Sequence, residues 1–409
     1  MNSSTHKKTS TGFKLAASLA LITVLGPSSI DMYLPSMPDM GVELHTSYAN
    51  MQLTLTIFLL AMGAGQLICG PLIDALGRRR PLIAAIIMFV ASSFWAATAT
   101  SIDTLLIARF FQGLASSMTL VTAMSTVRDV ASGTGATQLF ALLMTIEGLT
   151  PVIAPAVGGY IDSFWGWRAV MVTLGSMGIL ALLNTAFNLP ETLPQNKRLS
   201  LRPAEIAKTY ARIACDGKFL WPALALSAVF FFLMSYISGA AFVYQNEYGL
   251  SPDTFGMVFG ATGIAVLCGA LGTSRWVAIY GGAKLSIAGV GFIFGGAVIA
   301  WASAYVGIGL PGIVVGMFLA MFGLGIAEAT LMAMAMSSQE TALGFTAALL
   351  GALQLVLPAA ATPLAGALAE HSALAWLGFQ AAFGIVILWL TIASTRRLPK
   401  TVAASAPSS

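Results

Sequence analysis

The stretch that decides the fold is residues 50–100, which read NMQLTLTIFLLAMGAGQLICGPLIDALGRRRPLIAAIIMFVASSFWAATAT. Two apolar segments, residues 50–73 and 81–100, flank a short turn that holds all the charges of the stretch, Asp74 and Arg78–Arg80. A helix needs about 20 predominantly apolar residues to cross the hydrocarbon core of a bilayer. The stretch therefore predicts two membrane spans joined by a basic turn.

The same character extends over the whole chain. Of its 409 residues 57% are hydrophobic and only 9% are charged, and the mean hydropathy is +0.84. Such a chain has too little polar surface to cover a soluble globule, so the lipid bilayer is its predicted surrounding. A net charge of +4 spread over this length does not form a nucleic-acid patch, and we predict no nucleic-acid partner.

Twelve spans follow when the same length criterion is applied along the chain. They are residues 14–36, 50–73, 81–100, 104–126, 137–160, 168–188, 220–243, 254–274, 284–304, 309–334, 342–366 and 374–394. All 20 basic residues except Arg109 and Arg168 fall in the two tails or in the even-numbered connections. Because basic residues concentrate on the cytoplasmic side, both termini are predicted to be cytoplasmic, and an uncleaved first helix is favoured over a signal peptide.

The longest polar stretch divides the chain six plus six. We predict a cytoplasmic tail (1–13), a six-helix bundle (14–189), a cytoplasmic central loop (190–219), a second six-helix bundle (220–395) and a cytoplasmic tail (396–409). The fold class is therefore an all-α membrane protein with two pseudo-symmetric bundles. This layout is typical of transporters whose substrate binds between the halves.

Two other classes share parts of this pattern, a channel and a membrane-embedded enzyme. An enzyme is disfavoured because no histidine cluster, catalytic triad or phosphate-binding loop is present. The three cysteines, Cys69, Cys215 and Cys268, form no Cys-x-x-Cys pair and have no nearby histidine. No disulfide, metal site or cofactor is predicted.

The turn in the opening stretch carries a family resemblance. Gly70-Pro-Leu-Ile-Asp74-Ala-Leu-Gly77-Arg78-Arg79 resembles the G-x-L-x-D-x-x-G-R-R/K signature of the major facilitator superfamily. We expect both glycines to permit a tight turn and Asp74 to accept from Arg78. The alternative is a merely polar turn whose charges only set the topology.

Three further motifs resemble the proton-coupled members of that family. Arg109-Phe-Phe-Gln112-Gly113 in span 4 is similar to their R-x-x-x-G motif. The run Gly148-x-x-Pro151-x-x-x-Pro155-x-x-Gly158-Gly159 in span 5 resembles the motif of drug:proton antiporters, although its glycines would also serve ordinary helix packing. Ile30-Asp31-Met-Tyr33-Leu-Pro35 resembles the Bcr/CflA branch, which includes phenicol exporters.

The resemblance implies an antiporter that exports small, mostly apolar drugs in exchange for protons across the bacterial inner membrane. We expect multidrug or chloramphenicol-type efflux, and a monomer. A proton-coupled transporter of a metabolite with the same fold remains the alternative, and a transport-like sensor is a more distant one.

Charged side chains inside spans are the candidate proton-coupling residues, because such groups are costly in lipid and usually functional. They are Asp31, Arg109 and Glu147. Asp31 is the predicted proton carrier, with Arg109 close enough to tune its proton affinity. The alternatives for Asp31 are a fixed structural pair with Arg109 or a solvated side chain. The alternative for Arg109 is that it lies about 9 Å deep and reaches the membrane interface. Glu147 lies about 15 Å into span 5, as a second protonation site, a cation-recognition group or a neutral hydrogen-bonded acid. Glu328 and Glu340 are predicted at the membrane interface.

A cavity for apolar drugs is expected to contain adaptable and aromatic side chains with few polar groups. Chosen by depth alone, the candidates are Tyr33, Gln52, Thr56, Met144, Glu147, Phe232, Tyr236 and Gln354. Ordinary helix packing explains any one of them equally well. The predicted gating residues are Gly70, Asp74, Gly77, Arg78, Arg79, Gly148, Pro151, Pro155, Gly158 and Gly159.

Overall fold

The computed structural model describes residues 15–131, 133–198, 201–339 and 342–396. Within these ranges every regular element is a helix, and twelve helices are long and apolar enough to cross a membrane. The predicted all-α fold with twelve spans is confirmed. The predicted N-terminal tail, nearly all of the C-terminal tail and Glu340 lie outside the described residues.

We number the twelve helices in chain order. They are α1 (Leu15–Glu43), α2 (Tyr48–Leu76), α3 (Arg79–Ala97), α4 (Ile102–Val130), α5 (Gly133–Trp165), α6 (Trp167–Asn188), α7 (Gly217–Glu247), α8 (Pro252–Tyr280), α9 (Gly282–Tyr305), α10 (Leu310–Met336), α11 (Leu343–His371) and α12 (Ala373–Thr395).

Helix α1 is interrupted where the sequence carries its proline motif. An α-helical segment, Leu25–Asp31, gives way to a 3₁₀ turn, Leu34–Ser36, and α-helix resumes over Met37–Glu43. Proline has no N–H to donate and crowds the preceding turn, which accounts for a break beside Pro35. The predicted span ended at residue 36, seven residues short, because the last turns are more polar than the rest.

A short helix, Pro203–Ala214, lies in the central loop and was not predicted. Ile213 is its one fully buried residue, and the helix packs against the membrane bundle through Tyr210, whose hydroxyl donates to the Leu67 carbonyl at 3.1 Å. Burial, together with the nearby Asp74 charge, raises the pKa of Tyr210 to about 12. The central loop is therefore packed against α2 rather than free in solvent.

The two halves, α1–α6 and α7–α12, meet mainly where α5 packs on α8 and α2 on α11. In the first contact, Gly256 and Gly260 of α8 lie against the backbone of Pro155 and Val152 in α5. Small residues allow such close backbone approach in lipid, where packing rather than water exclusion holds helices together. In the second contact, Thr56 and Thr362 share a hydrogen bond of 2.6 Å. The predicted site residues lie on either side of this interface.

Candidate functional site

Arg109 of α4 is fully buried inside the first half. Its guanidinium carbon lies 4.4 Å from the ring centre of Tyr33 and 4.3 Å from that of Phe58. Nη1 donates to Gln112 Oε1 at 2.5 Å, whereas Nε and Nη2 meet no hydrogen-bond acceptor of good geometry. Arg109 thus does not reach the interface, and a buried cation held by aromatic faces and one amide is a costly arrangement that favours a functional role.

A short polar chain extends from Arg109 into α3. Gln112 Nε2 donates to Ser93 Oγ at 2.8 Å, and Ser93 Oγ donates to the Phe89 carbonyl at 2.7 Å. The chain fixes the amide so that its oxygen faces the guanidinium. Ser93 was not predicted from the sequence, because a serine in an apolar span is most often bonded to its own helix.

Asp31 is buried and is the last residue of the helical segment before the break in α1. No ion pair within 4.0 Å joins it to Arg109, although both residues are described. Tyr33, two residues further on, covers the guanidinium instead, and its hydroxyl bonds to Thr54 Oγ1 at 2.7 Å. The structure therefore brings Asp31 and Arg109 to the same break without pairing them.

The break in α1 is held from both halves of the protein. The Met32 carbonyl lies directly against Gly158 of α5, where no side chain would fit. From the other half, Gln245 of α7 donates through Nε2 to the Pro35 carbonyl at 2.9 Å. A movement of one half relative to the other must therefore act on the segment that carries Asp31.

The remaining residues of the α5 motif form packing surface toward the second half. Gly159 lies against the backbone at Pro252, and Gly148 is 3.5 Å from Leu267, measured from an ideal Cβ position. Pro151 and Pro155 lie within the continuous helix α5 and contact α8 through Gly263 and Gly256. The motif residues thus lie on the face that α5 packs against α8.

The turn between α2 and α3 is a charge network centred on Arg78. Its guanidinium donates to Asp74 Oδ1 at 2.6 Å and to Asp129 Oδ2 at 2.9 Å. Burial alone would lower the pKa of Arg78, but these carboxylates raise it above its ordinary value. Gly77 turns the chain with φ of +94°, whereas Gly70 lies inside α2. The expectation that both glycines shape the turn holds for Gly77 only.

Glu191, which follows α6, caps the start of α3. Its carboxylate accepts from the backbone N–H of Arg78 at 2.8 Å and of Arg79 at 3.2 Å. Burial alone would raise the pKa of Glu191, but these backbone donors, the Leu193 N–H and the Arg198 charge hold it below its ordinary value. The turn motif is thereby fastened to the end of α6.

Glu147 of α5 lies within electrostatic range of an acidic residue of the other half, Glu328 of α10. Its Oε1 atom is buried without a hydrogen-bond partner, and the two carboxylates interact electrostatically. A glycine near each of these two residues packs on the same short segment of α8. Gly148, next to Glu147, lies against Leu267, and Gly325, three residues before Glu328, lies against the backbone at residues 266–270. Glu328 was expected at the membrane interface, whereas the structure leaves it partly buried and within electrostatic range of Glu147. Sequence depth alone could not show which way either side chain faces.

The predicted substrate residues are only partly brought together. Gln52 donates to the Ser238 carbonyl across the halves at 3.5 Å, and Tyr236 is stacked between Phe259 and Trp376, at ring-centre distances of 5.4 and 6.3 Å. Phe232 and Gln354 are buried, whereas 46% of Met144 is exposed. Among the described residues, no three His, Cys, Asp or Glu side chains converge as metal ligands.

The chain matches the family model of the Major Facilitator Superfamily over residues 19–346. It is 37% identical to the uncharacterized MFS-type transporter YdgK of Bacillus subtilis over 355 residues, which cover 86% of this chain and 88% of that protein. It is 30% identical to a chloramphenicol resistance protein of Pseudomonas aeruginosa over 292 residues, covering 70% and 68% of the two chains.

A solved structure shares the fold at low identity. The crystal structure of a bacterial homolog of the human lysosomal transporter Spinster, in an inward-facing and unoccupied conformation, superimposes with a TM-score of 0.71. The superposition covers 94% of this chain and 97% of that one, at 14% identity. This likeness concerns the architecture of the two six-helix halves alone.

Proposed function

The chain belongs to the Major Facilitator Superfamily, a family of multi-pass membrane transporters and not of enzymes, and we propose that it is a proton-coupled antiporter. Its proposed substrates are small, mostly apolar drugs, exported by alternating access as in multidrug or chloramphenicol-type efflux. The likeness to a chloramphenicol resistance protein supports this substrate class. The proposed location is the bacterial inner membrane, with both termini cytoplasmic and the protein a monomer.

The observation that carries the proposal is the break in α1. The buried acid Asp31 lies two residues before Tyr33, whose ring covers the fully buried cation Arg109. The break packs against α5 of its own half and accepts a hydrogen bond from α7 of the other. Alternating access moves one half against the other. A rearrangement of the break would change the distance between Asp31 and Arg109, and with it the affinity of Asp31 for a proton.

Exchange requires that the protein switch between its outward-open and inward-open states only when it carries a proton or a drug. In the proposed cycle, Asp31 takes up a proton from the outer side and Arg109 then faces Tyr33 and Phe58. Release of the proton to the inside lets the ionised Asp31 attract Arg109. The cation–π contacts are worth about 2 kcal/mol when desolvated, small enough for a new charge to compete with them.

Glu147 is the second proposed coupling residue. Two partly buried carboxylates that repel each other cannot both be ionised cheaply, so the pair formed with Glu328 is suited to holding one proton. The same pair would bind the charged group of a cationic drug. The proton role predicts that Glu147→Gln uncouples all substrates, and the recognition role predicts that it removes export of cations only.

The proposed drug site lies between the halves, beside Gln52, Thr56 and Tyr236. These residues offer two polar groups and a stacked aromatic surface, which suits an apolar ligand with few polar atoms. Tyr33 would join this site through the motion of α1, and Phe232, Met144 and Gln354 would complete it. The proposed gating surfaces are the α2–α3 turn and the glycine face of α5.

A susceptibility panel in an efflux-deficient bacterium tests the proposal. The wild-type gene should protect against several chemically unrelated apolar drugs, including a phenicol, whereas Asp31→Asn at equal membrane abundance should not. A wild-type protein that protects against none of them while counter-transporting a metabolite would replace the drug proposal with the metabolite alternative.

A further inference from the structure

A cavity of about 320 Å³ opens away from the proposed drug site, where α3 begins and α6 ends. It is lined by Arg79, Arg80, Glu191, Gln195 and Arg198. These residues belong to the 2–3 connection and to the segment after α6, which the charge distribution puts on the cytoplasmic side. Arg79, Glu191 and Arg198 also take part in the contacts of the α2–α3 turn described above, whereas Arg80 and Gln195 do not.

The cavity has an excess of positive charge and donors without acceptors. Three guanidinium groups line the cavity with one carboxylate, that of Glu191, which accepts from the backbone N–H groups of Arg78 and Arg79 and forms an ion pair with Arg198 at 3.8 Å. The Nε atoms of Arg79 and Arg198 are buried without a hydrogen-bond partner. Planar guanidinium groups in such a cluster match the oxygens of a phosphate group.

The positive-inside rule explains why arginines occur on this side of the membrane, but it does not explain why they converge on one cavity. Topology depends on the number of basic residues near the membrane and not on their convergence. Here, Arg79 is also fixed, because its Nη2 donates to the Ala186 carbonyl at the end of α6 at 2.7 Å. A positioned guanidinium beside a cavity is a feature of binding sites.

An apolar stripe on α6 leads up to the same place. Leu180, Leu183 and Phe187 are 60%, 49% and 83% exposed, and their spacing of three and four residues puts them on one helix face. Phe187 directly follows Ala186, to which Arg79 is bonded. A ligand with its phosphate in the cavity could therefore lay a hydrocarbon chain along this stripe.

We propose that this cavity binds the phosphate headgroup of an anionic lipid of the cytoplasmic leaflet, with an acyl chain along Leu180, Leu183 and Phe187 of α6. Bound there, the lipid would connect the start of α3 to the segment that carries Glu191. Basic pockets between membrane helices on this side are suited to such headgroups. The site is independent of the drug and proton sites.

The test uses the full-length protein purified in neutral detergent and stripped of lipid. Phosphatidylglycerol, phosphatidylcholine with the same acyl chains, and inorganic phosphate are titrated separately, with bound lipid counted by native mass spectrometry and the unfolding temperature recorded. The variant Arg80→Gln/Arg198→Gln is compared with Lys208→Gln/Arg212→Gln, which removes the same charge from exposed positions of the Pro203–Ala214 helix.

Phosphatidylglycerol should bind and stabilise the wild type and the Lys208/Arg212 control. The cavity variant should bind it about fivefold more weakly for each arginine removed, the factor expected for one basic residue near an anionic surface. Equal binding by the cavity variant and the control would overturn the proposal. An equal rise in unfolding temperature with phosphatidylcholine or with inorganic phosphate would also overturn the proposal. If the double variant does not fold, the single variant Arg80→Gln is compared instead.

Discussion

Replacement of Gly158 by alanine perturbs the contact that holds the α1 break against α5. A Cβ at this position would overlap the Met32 carbonyl, which is backbone and cannot rotate away. The two helices must therefore separate, and overpacking of this kind costs about 1–3 kcal/mol. Alanine gains about 1 kcal/mol over glycine in a helix, so the expected net loss is about 1 kcal/mol, at the centre of the resulting range.

The matched control is Gly291→Ala in α9, because a Cβ there would have no neighbour within 4 Å. In purified protein, Gly158→Ala should lower the unfolding temperature by about 2–4 °C, whereas Gly291→Ala should leave it unchanged or raise it. Drug export should also fall in Gly158→Ala, because the break can no longer close on α5. Wild-type unfolding and export in Gly158→Ala would refute this account of the break.

Three other substitutions test separate contacts. Arg109→Met should abolish drug export while leaving the unfolding temperature unchanged or higher, because an incompletely bonded buried cation is replaced by an apolar chain; retained export would contradict its role. Ser93→Ala leaves the buried Gln112 amide without its acceptor, at about 1–3 kcal/mol, and should unfold earlier than the neighbouring control Ser92→Ala, whose hydroxyl bonds only to a carbonyl of its own helix. Glu191→Gln should reduce the loss of stability on acidification, because the lowered pKa of Glu191 gives a stabilisation that is present above the ordinary glutamate pKa and is lost as the pH falls through the lower folded value. Thermal unfolding followed from neutral pH to well below the ordinary glutamate pKa would show no difference between variant and wild type if the cap were unimportant.

Hydropathy and charge placement were sufficient to predict the number of spans, because both depend only on the order of residues along the chain and not on contacts between helices. The turn motif was also readable, since Asp74 and Arg78 are one helical turn apart and Gly77 adopts a positive φ. Local spacing decides such contacts. The continuation of α1 to Glu43 was not predicted. Polar residues at its end lower the local hydropathy, and a helix that packs against protein and not lipid need not be apolar.

Contacts between distant helices could not be read from the sequence. Gln112 with Ser93, and Glu147 with Glu328, depend on how each helix is rotated about its axis, which a nearly uniform apolar surface does not reveal. The sequence predicted a similar depth for Asp31 and Arg109. It did not predict that the ring of Tyr33 covers the Arg109 guanidinium, because this contact depends on the 3₁₀ turn that follows Tyr33. The arginine cavity likewise could not be predicted, because it forms only where residues 79–80 and 191–198 come together in the fold.

Proton-coupled exchange through Asp31 is the central claim, and transport by reconstituted protein tests it most directly. In proteoliposomes that contain a phenicol at equal concentration on both sides, an imposed pH gradient alone should drive drug accumulation against its gradient, with proton movement in the opposite direction. Asp31→Asn should still exchange labelled for unlabelled drug but should accumulate none. Accumulation by Asp31→Asn with the pH dependence of the wild type would contradict the account.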